Sequence, residues 1–170
     1  NGILIKSGEA LETAHKIDTV VMDKTGTITE GKPKVTDIVE YIDKNNLLTY
    51  AISLEKNSEH PLAEAIVKYC NETNISSKNV ENFEAVFGKG VKATSDNSTI
   101  LGGNRAFMKE NNIDISKIEP QINSLADEGK TPLIFAKDSN VIGIIAVADV
   151  EKETSRKAIE EFTKMGISTV

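Results

Sequence analysis

Val20-Val21-Met22-Asp23-Lys24-Thr25-Gly26-Thr27-Ile28-Thr29 decides how this chain is read. The run Ile17–Met22 is apolar apart from Asp18 and Thr19. A short apolar run closed by a turn signal is the pattern of a strand buried on both faces of a parallel sheet. It ends at Asp23, and hydroxyl groups, an ammonium and one glycine follow. In open parallel sheets, ligands collect beyond the carboxyl ends of the strands, so Asp23 stands where chemistry is expected. A carboxylate there can act as a nucleophile and accept a phosphoryl group. Lys24, Thr25 and Thr27 offer the donors a phosphoryl group needs, on a backbone that Gly26 lets bend. The plain alternative is a turn cap, because turns favour Asp and Gly.

The full pentamer weighs against a simple cap. Asp23-Lys24-Thr25-Gly26-Thr27 resembles the phosphorylation signature of P-type ATPases, and the chain is similar to the cytoplasmic part of a heavy-metal-transporting, copper-exporter-like member. The resemblance implies that Asp23 takes the γ-phosphate of ATP. It implies that Lys24 and Thr27 contact that group, and that Asp23 and Thr25, the latter through its backbone carbonyl, hold Mg2+. Related phosphatases of the haloacid dehalogenase-like fold carry a second Asp two positions after the nucleophile. This sequence has Thr25 there, which cannot take up a proton near neutral pH. A slowly hydrolysed acyl-phosphate is expected, as a pump requires. The competing reading is a soluble phosphatase of that fold with an inserted cap domain.

Bulk properties narrow the class. The 170 residues, 39% hydrophobic and 27% charged, suit one domain or two small ones. A net charge of -6 and a pI near 5.1 argue against nucleic acid as a partner and against an anionic membrane surface. The single Cys70 excludes an internal disulfide and a cysteine-cluster metal site; its place in a helical pattern predicts a packed thiol. The longest apolar stretch, Val141–Val150, holds Asp149 and is about half the roughly 20 residues a spanning helix needs. No signal peptide is expected. The chain reads as a soluble piece, with the membrane part elsewhere in the protein; by resemblance it is the cytoplasmic domain of an integral protein of the cell membrane.

Taken in order, residues 1–16 read as a connector, in which Gly2–Glu12 has a brief extended part and then a short helix. Gly31-Lys32-Pro33 is a break, and a hinge is expected near residues 30–34. A strand over 35–42 and a helix over 47–55, with Leu48, Ala51, Ile52 and Glu55 near one face, follow. Pro61 suits the first turn of a second helix, running to about Glu72. A strand at 83–86 leads through Gly88-Lys89-Gly90 into a hairpin of 91–94 and 99–102, whose tip Ser95–Ser98 has strong turn chemistry. A helix over 104–111 is expected. Another is capped by Ser116, with Glu119 completing a capping box, and stops at Gly129. A second hairpin spans 132–137 and 141–148. A helix over 153–165 and a strand from Gly166 return the chain to βαβ form. The expected architecture is α/β plus α+β. A partial haloacid dehalogenase-like parallel sheet (residues 1–33 and 149–170) carries an inserted antiparallel sheet flanked by helices (residues 34–148). The insertion is expected to fold well, and residues 1–30 and 150–170 to be poorly packed or to pair with a neighbouring chain, because the parallel sheet lacks partners.

A second constellation lies in the insertion. His60 before a helix is most simply a cap. Yet Gly88 and Gly90 flank Lys89 between strands, Gly102-Gly103-Asn104 marks a strand-to-helix switch, and Glu55 precedes His60. In this order, after the Asp23 motif, these match the nucleotide-binding domain of heavy-metal pumps. The resemblance implies that His60 and Glu55 orient adenine while Gly88, Gly90, Gly103 and Asn104 border the ribose and phosphates. Stacking plus one charge-assisted hydrogen bond is worth about 2–4 kcal/mol, which predicts ATP binding on the order of 0.1–1 mM. Gly129-Lys130-Thr131 imitates the end of a Walker A loop, but Ser124 stands where that motif needs glycine. Asp149 and Lys152 resemble a hinge acid and base of such pumps; an ordinary acidic helix start explains them equally well. His15 reads as a surface residue. The ion's ligands lie in membrane helices outside this sequence. Glu9-Ala10-Leu11-Glu12, and Gly103-Asn104-Arg105 with Met108, lean toward copper(I), so the expected partners are ATP, copper and the remaining domains of the same protein.

Overall fold

A computed structural model describes residues 4–170. The brief extended part expected at the start of Gly2–Glu12 therefore falls partly outside the described residues. The chain divides into two compact units, one made of the N-terminal segment through Gly31 with Val150–Val170, the other of Lys32–Asp149.

The larger unit is built on a six-stranded sheet. Its strands are β2 (Thr29–Glu40), β3 (Glu81–Val86), β4 (Gly90–Ser95), β5 (Ser98–Gly103), β6 (Thr131–Lys137) and β7 (Asn140–Glu151), in the order β2-β7-β6-β5-β4-β3. The pairings from β3 to β7 are antiparallel. Helices α2 (Lys44–Glu55), α3 (Pro61–Glu72), α4 (Arg105–Glu110) and α5 (Glu119–Asp127) complete it. Period-2 alternation sends successive side chains to opposite faces. Ile100, Phe135, Ile145 and Val147 pack with Leu47, Ala51, Leu54 and Ile66 of α2 and α3. Their neighbours Leu101, Ile134, Ile144 and Ala146 pack with Phe107, Met108, Ile122 and Leu125 of α4 and α5. Covering both faces explains why Val141–Val147 reads as an unbroken apolar run. At the bulge between Phe135 and Ala136 the parity slips, and Ile142 joins the α2 side.

Helix α2 departs from the expected one-faced pattern: Leu47, Leu48 and Tyr50–Glu55 are all buried. It lies on the sheet, where Leu47 fills the space a side chain at Gly143 would take, and α3 packs on it. The expected break at 30–34 is absent as a loop; β2 runs through it, with Gly31 at φ +70°. Helix α5 starts at Glu119 without a side-chain cap. Ser116 instead donates its N–H to Asp114 Oδ1 at 2.9 Å, and buried Ile113, Ile115 and Ile118 set the preceding turn. Core anchoring has displaced the capping box.

In the smaller unit, β1 (Thr19–Val20) pairs in parallel with β8 (Ser168–Thr169). Met22 N–H to Val170 O, 2.9 Å, extends the ladder to the threshold of Asp23. Helix α6 (Glu153–Lys164) precedes β8, and α1 (Gly8–Ala14) precedes β1, its Ser7 side chain accepting from Ala10 N–H. The expected full burial of β1 is not seen: Val20 is half-buried and Val21 is 78% exposed. A two-stranded sheet beside one helix leaves a face open, and neither α1 nor α6 buries a residue.

Candidate functional site

The glycine-rich corner of the larger unit is tied together by hydrogen bonds and close backbone contacts. Gly90 and Gly103 are register partners. A Cβ on Gly90 would meet the Gly102 carbonyl, the Gly103 Cα at 2.7 Å and the Phe107 ring at 2.8 Å. A Cβ on Gly103 would meet Lys89 O at 2.5 Å. These glycines are therefore required by strand-to-strand closeness and by Phe107, before any ligand is considered. Gly88 differs: it sits at φ +69° with open space where a Cβ would be. Asn104 caps α4 by accepting from Phe107 N–H (3.0 Å), while its Nδ2 donates to Gly88 O (2.9 Å). Asn104 thus holds the β3–β4 turn against the start of α4. Lys89 Nζ is held by the Glu110 carboxylate at 2.7 and 2.8 Å. Phe87, just before Gly88, is fully exposed.

Glu55 closes α2 beside this corner. It is only 6% exposed, and Oε1 lies 3.4 Å from where a Gly102 Cβ would sit, over the Phe135 ring. Burial pushes its pKa up to about 7. His60 is exposed and is indeed a cap: its Nδ1 accepts from Leu62 N–H at 3.2 Å at the start of α3. That bond leaves Nε2 and the ring faces for another partner. Contacts thus link Glu55 to Gly102, and Gly103, Gly90, Asn104 and Gly88 to one another, while His60 joins through the short loop after Glu55.

In the smaller unit, Asp23, Lys24, Thr25, Gly26 and Thr27 are all exposed. Asp23 is extended (φ -66°, ψ 143°) and its side chain caps nothing, which removes the turn-cap alternative. The loop after it is fixed by residues that motif reading passed over. Buried Thr29 accepts from Gly26 N–H (3.2 Å) and donates to Lys24 O (3.1 Å). Lys152 Nζ donates to Gly26 O (2.5 Å), its N–H to Ile28 O (2.9 Å), and Ser155 Oγ to Thr27 O (3.1 Å). The Thr25 carbonyl stays outside this set. A hydroxyl one turn into α6 and a threonine after the pentamer carry no motif, which is why only tertiary structure finds them.

Asp23 with the Thr25 carbonyl is a hard-oxygen donor pair. It suits Mg2+, which is commonly held by one or two carboxylates together with substrate phosphates. Among the described residues no group of three or more His, Cys, Asp or Glu is arranged to hold a metal alone. Lys130 is engaged by Asp37 (2.7 Å) and Glu128 (2.6 Å), so the Walker-like tripeptide is a helix stop, with Gly129 at φ +76°. His15 is exposed at the end of α1, and Cys70 is fully buried.

Residues 17–170 match the haloacid dehalogenase-like hydrolase family. The chain belongs to that family. The chain is also 44% identical, over its whole length, to a copper-exporting P-type ATPase of Staphylococcus epidermidis. It spans only about a fifth (21%) of that relative's length. Among solved structures, a zinc-transporting PIB-type ATPase in an E2·Pi state superposes with TM-score 0.86 at 32% identity, over 98% of this chain and 27% of that one. The catalytic domain of a CPx-ATPase superposes with TM-score 0.69 at 25% identity, over 98% and 57%. The parallel strand pair and the six-stranded sheet thus share the fold of these solved transporting and CPx-ATPase structures. Among the described residues no helix is long and apolar enough to cross a membrane.

Proposed function

We propose that this chain is the ATP-binding and phosphoryl-accepting region of a heavy-metal-translocating P-type ATPase that exports copper(I) across the cell membrane. The observation that carries the reading is the presence, in one chain, of an exposed Asp23 loop and a corner where buried Glu55 meets Gly102-Gly103-Asn104. The copper assignment rests on the name of the relative that is 44% identical.

In this reading Glu55 and His60 hold the adenine, while Gly88, Gly90, Gly103 and Asn104 border the ribose and phosphates. The Asp23 carboxylate attacks the γ-phosphorus; the bond to the β-phosphate oxygen breaks, ADP leaves, and an aspartyl-phosphate remains. Lys24 and Thr27 donate to the transferred group. Mg2+, held by Asp23 and the Thr25 carbonyl with phosphate oxygens, would neutralise charge on the transferring phosphate. Thr25 supplies no proton shuttle for hydrolysis, so the acyl-phosphate persists long enough to drive transport. Remaining domains of the same protein supply the metal path.

Two experiments test this. Calorimetric titration of the chain with ATP should give a Kd on the order of 0.1–1 mM, weakened several-fold by His60→Ala. In the full-length protein, brief exposure to γ-labelled ATP and acid quench should leave a hydroxylamine-labile label that Asp23→Asn abolishes. A label that survives in that variant, or ATP-independent phosphatase turnover in its place, overturns the reading.

A further inference from the structure

Phe87 is fully exposed, and among the described residues it is the one phenylalanine that is: Phe107 and Phe135 are buried, Phe83 and Phe162 half-buried. A single exposed apolar side chain is ordinary. The setting of this one gives it a use.

The turn that carries it is fixed. Lys89 N–H donates to Val86 O at 3.0 Å, so Val86–Lys89 is a β-turn. Gly88, at φ +69°, holds the third position, where a type II turn needs positive φ. Asn104 braces the turn twice, from its N–H to Lys89 O and from Nδ2 to Gly88 O, both at 2.9 Å. Lys89 Nζ is held by Glu110. In such a turn the second residue keeps an extended backbone, so the alternation of β3 continues into Phe87. Val86 packs on the α4 and α5 side, and Phe83 on the α2 and α3 side. Phe87, like Ala85, therefore faces the side of α2.

On that side Ala85, Val91 and Gly102 are register partners, one row across β3, β4 and β5. Glu55 Oε1 stands at the Gly102 end of the row. Val91 is buried with α2 and α3, whereas Ala85 is exposed. Helical cover therefore stops short of this end of β3, where Phe87 is the next side chain on the same face. Only β4 separates β3 from β5, a gap of about 10 Å or two strand spacings. Beside the ring, a Cβ on Gly88 would meet no atom within 4 Å. A planar group seated against Glu55 and lying out along the row meets an uncovered aromatic face on a braced turn.

We propose that Phe87 is the stacking wall of the nucleotide site, its ring lying on the bound nucleoside from the side away from Glu55. The inference rests on the nucleotide-binding reading above and adds to it the group that grips the base by its face. Every base has a π-face, so such stacking is tolerant of base identity. Phe87 adds affinity to any nucleoside triphosphate and leaves the choice of base to groups at its edge. A polyphosphate with no base gains nothing from it.

The test is the calorimetric dissociation constant of the whole chain for ATP. Stacking on one base changes affinity by about five- to 150-fold, so Phe87→Ala should weaken ATP at least about fivefold. Phe87→Leu, apolar but without a ring, should weaken it as much, and Phe87→Tyr should keep binding within a few-fold of wild type. Thermal melts of the three should match wild type, because the ring buries nothing. The chain has no tryptophan, so Phe87→Trp places a sole indole at the site. Its emission should change on saturation with ATP or GTP and stay unchanged with inorganic tripolyphosphate. A loss below about fivefold in Phe87→Ala, binding restored by leucine, or an indole blind to ATP overturns the proposal and leaves nucleotide binding intact. If the wild-type chain binds no ATP, the nucleotide reading itself fails, and this one with it.

Discussion

A carboxyl that is 6% exposed and shares no ion pair opposes folding whenever it must ionise. Glu55 has a folded pKa of about 7 against an ordinary value of 4.5. Its contribution to stability is complete below 4.5 and is lost as pH rises through 7. The loss amounts to about 3 kcal/mol at most. Glu55→Gln should remove that slope and raise stability at pH 8 by about 1–3 kcal/mol. Urea midpoints at pH 5 and pH 8 measure it, and a variant less stable than wild type at pH 8 would contradict the assignment. Asp37 works in the opposite sense. Hydrogen bonding to Lys130 holds its pKa below the usual range, so its contribution is present above that range and fades on acidification. Thr29 is the residue whose loss should matter most to the Asp23 loop. Thr29→Val removes both hydroxyl bonds at a buried position and should cost about 1–3 kcal/mol. Hydrogen exchange at Gly26 should accelerate, and labelling of Asp23 in the full-length protein should slow. Asp23, Glu55 and His60 were legible as residues because each carries chemistry within a recognisable pattern. Thr29 and Ser155 were not, because their roles depend on contacts that only the fold creates.

Elements show why glycines in one motif are not equivalent. Gly90→Ala and Gly103→Ala force a Cβ into backbone atoms of the paired strand and into Phe107, so each should cost about 1–3 kcal/mol or more. Gly88→Ala meets no atom and bears only the left-handed backbone at φ +69°, about 1–2 kcal/mol. Denaturant midpoints of the three variants should rank in that order; equal losses would contradict it. Elements with local signals were readable: Pro61 opening α3, Gly129 in the left-handed region after α5, and the hairpin tips at Asp96-Asn97 and Asp138, all at positive φ. Elements settled by long-range packing were misread. Buried isoleucines override the Ser116–Glu119 box. Helix α2 is enclosed because the sheet and α3 cover it from two sides, and periodicity alone cannot show a second covering layer.

At the scale of the molecule, every residue of both apolar clusters lies between Val35 and Val147, inside the unit Lys32–Asp149. The smaller unit instead shows Leu4, Ile5, Leu11, Val21, Met165 and Val170 more than half exposed. A fragment of residues 32–149 should therefore keep a cooperative thermal transition within a few degrees of the whole chain, as about 1 kcal/mol shifts Tm by roughly 4–8 °C in domains of this size. Loss of cooperative unfolding would show that the smaller unit contributes to that core. The α/β plus α+β architecture was readable from sequence through the alternation of element types, and so was the poor packing of the flanking segments; the exposure of β1, whose apolar run reads as a buried strand, was not. The central claim is that adenine nucleotide sits at the Glu55–Gly102 corner. An amide-resolved NMR titration of the chain with ATP tests it most directly. Shifts should concentrate at Glu55, His60, Gly88, Gly90, Gly103 and Asn104, saturate at millimolar ATP, and shrink in His60→Ala. Saturating shifts elsewhere with these six amides unmoved, or no shifts at all, would contradict the account.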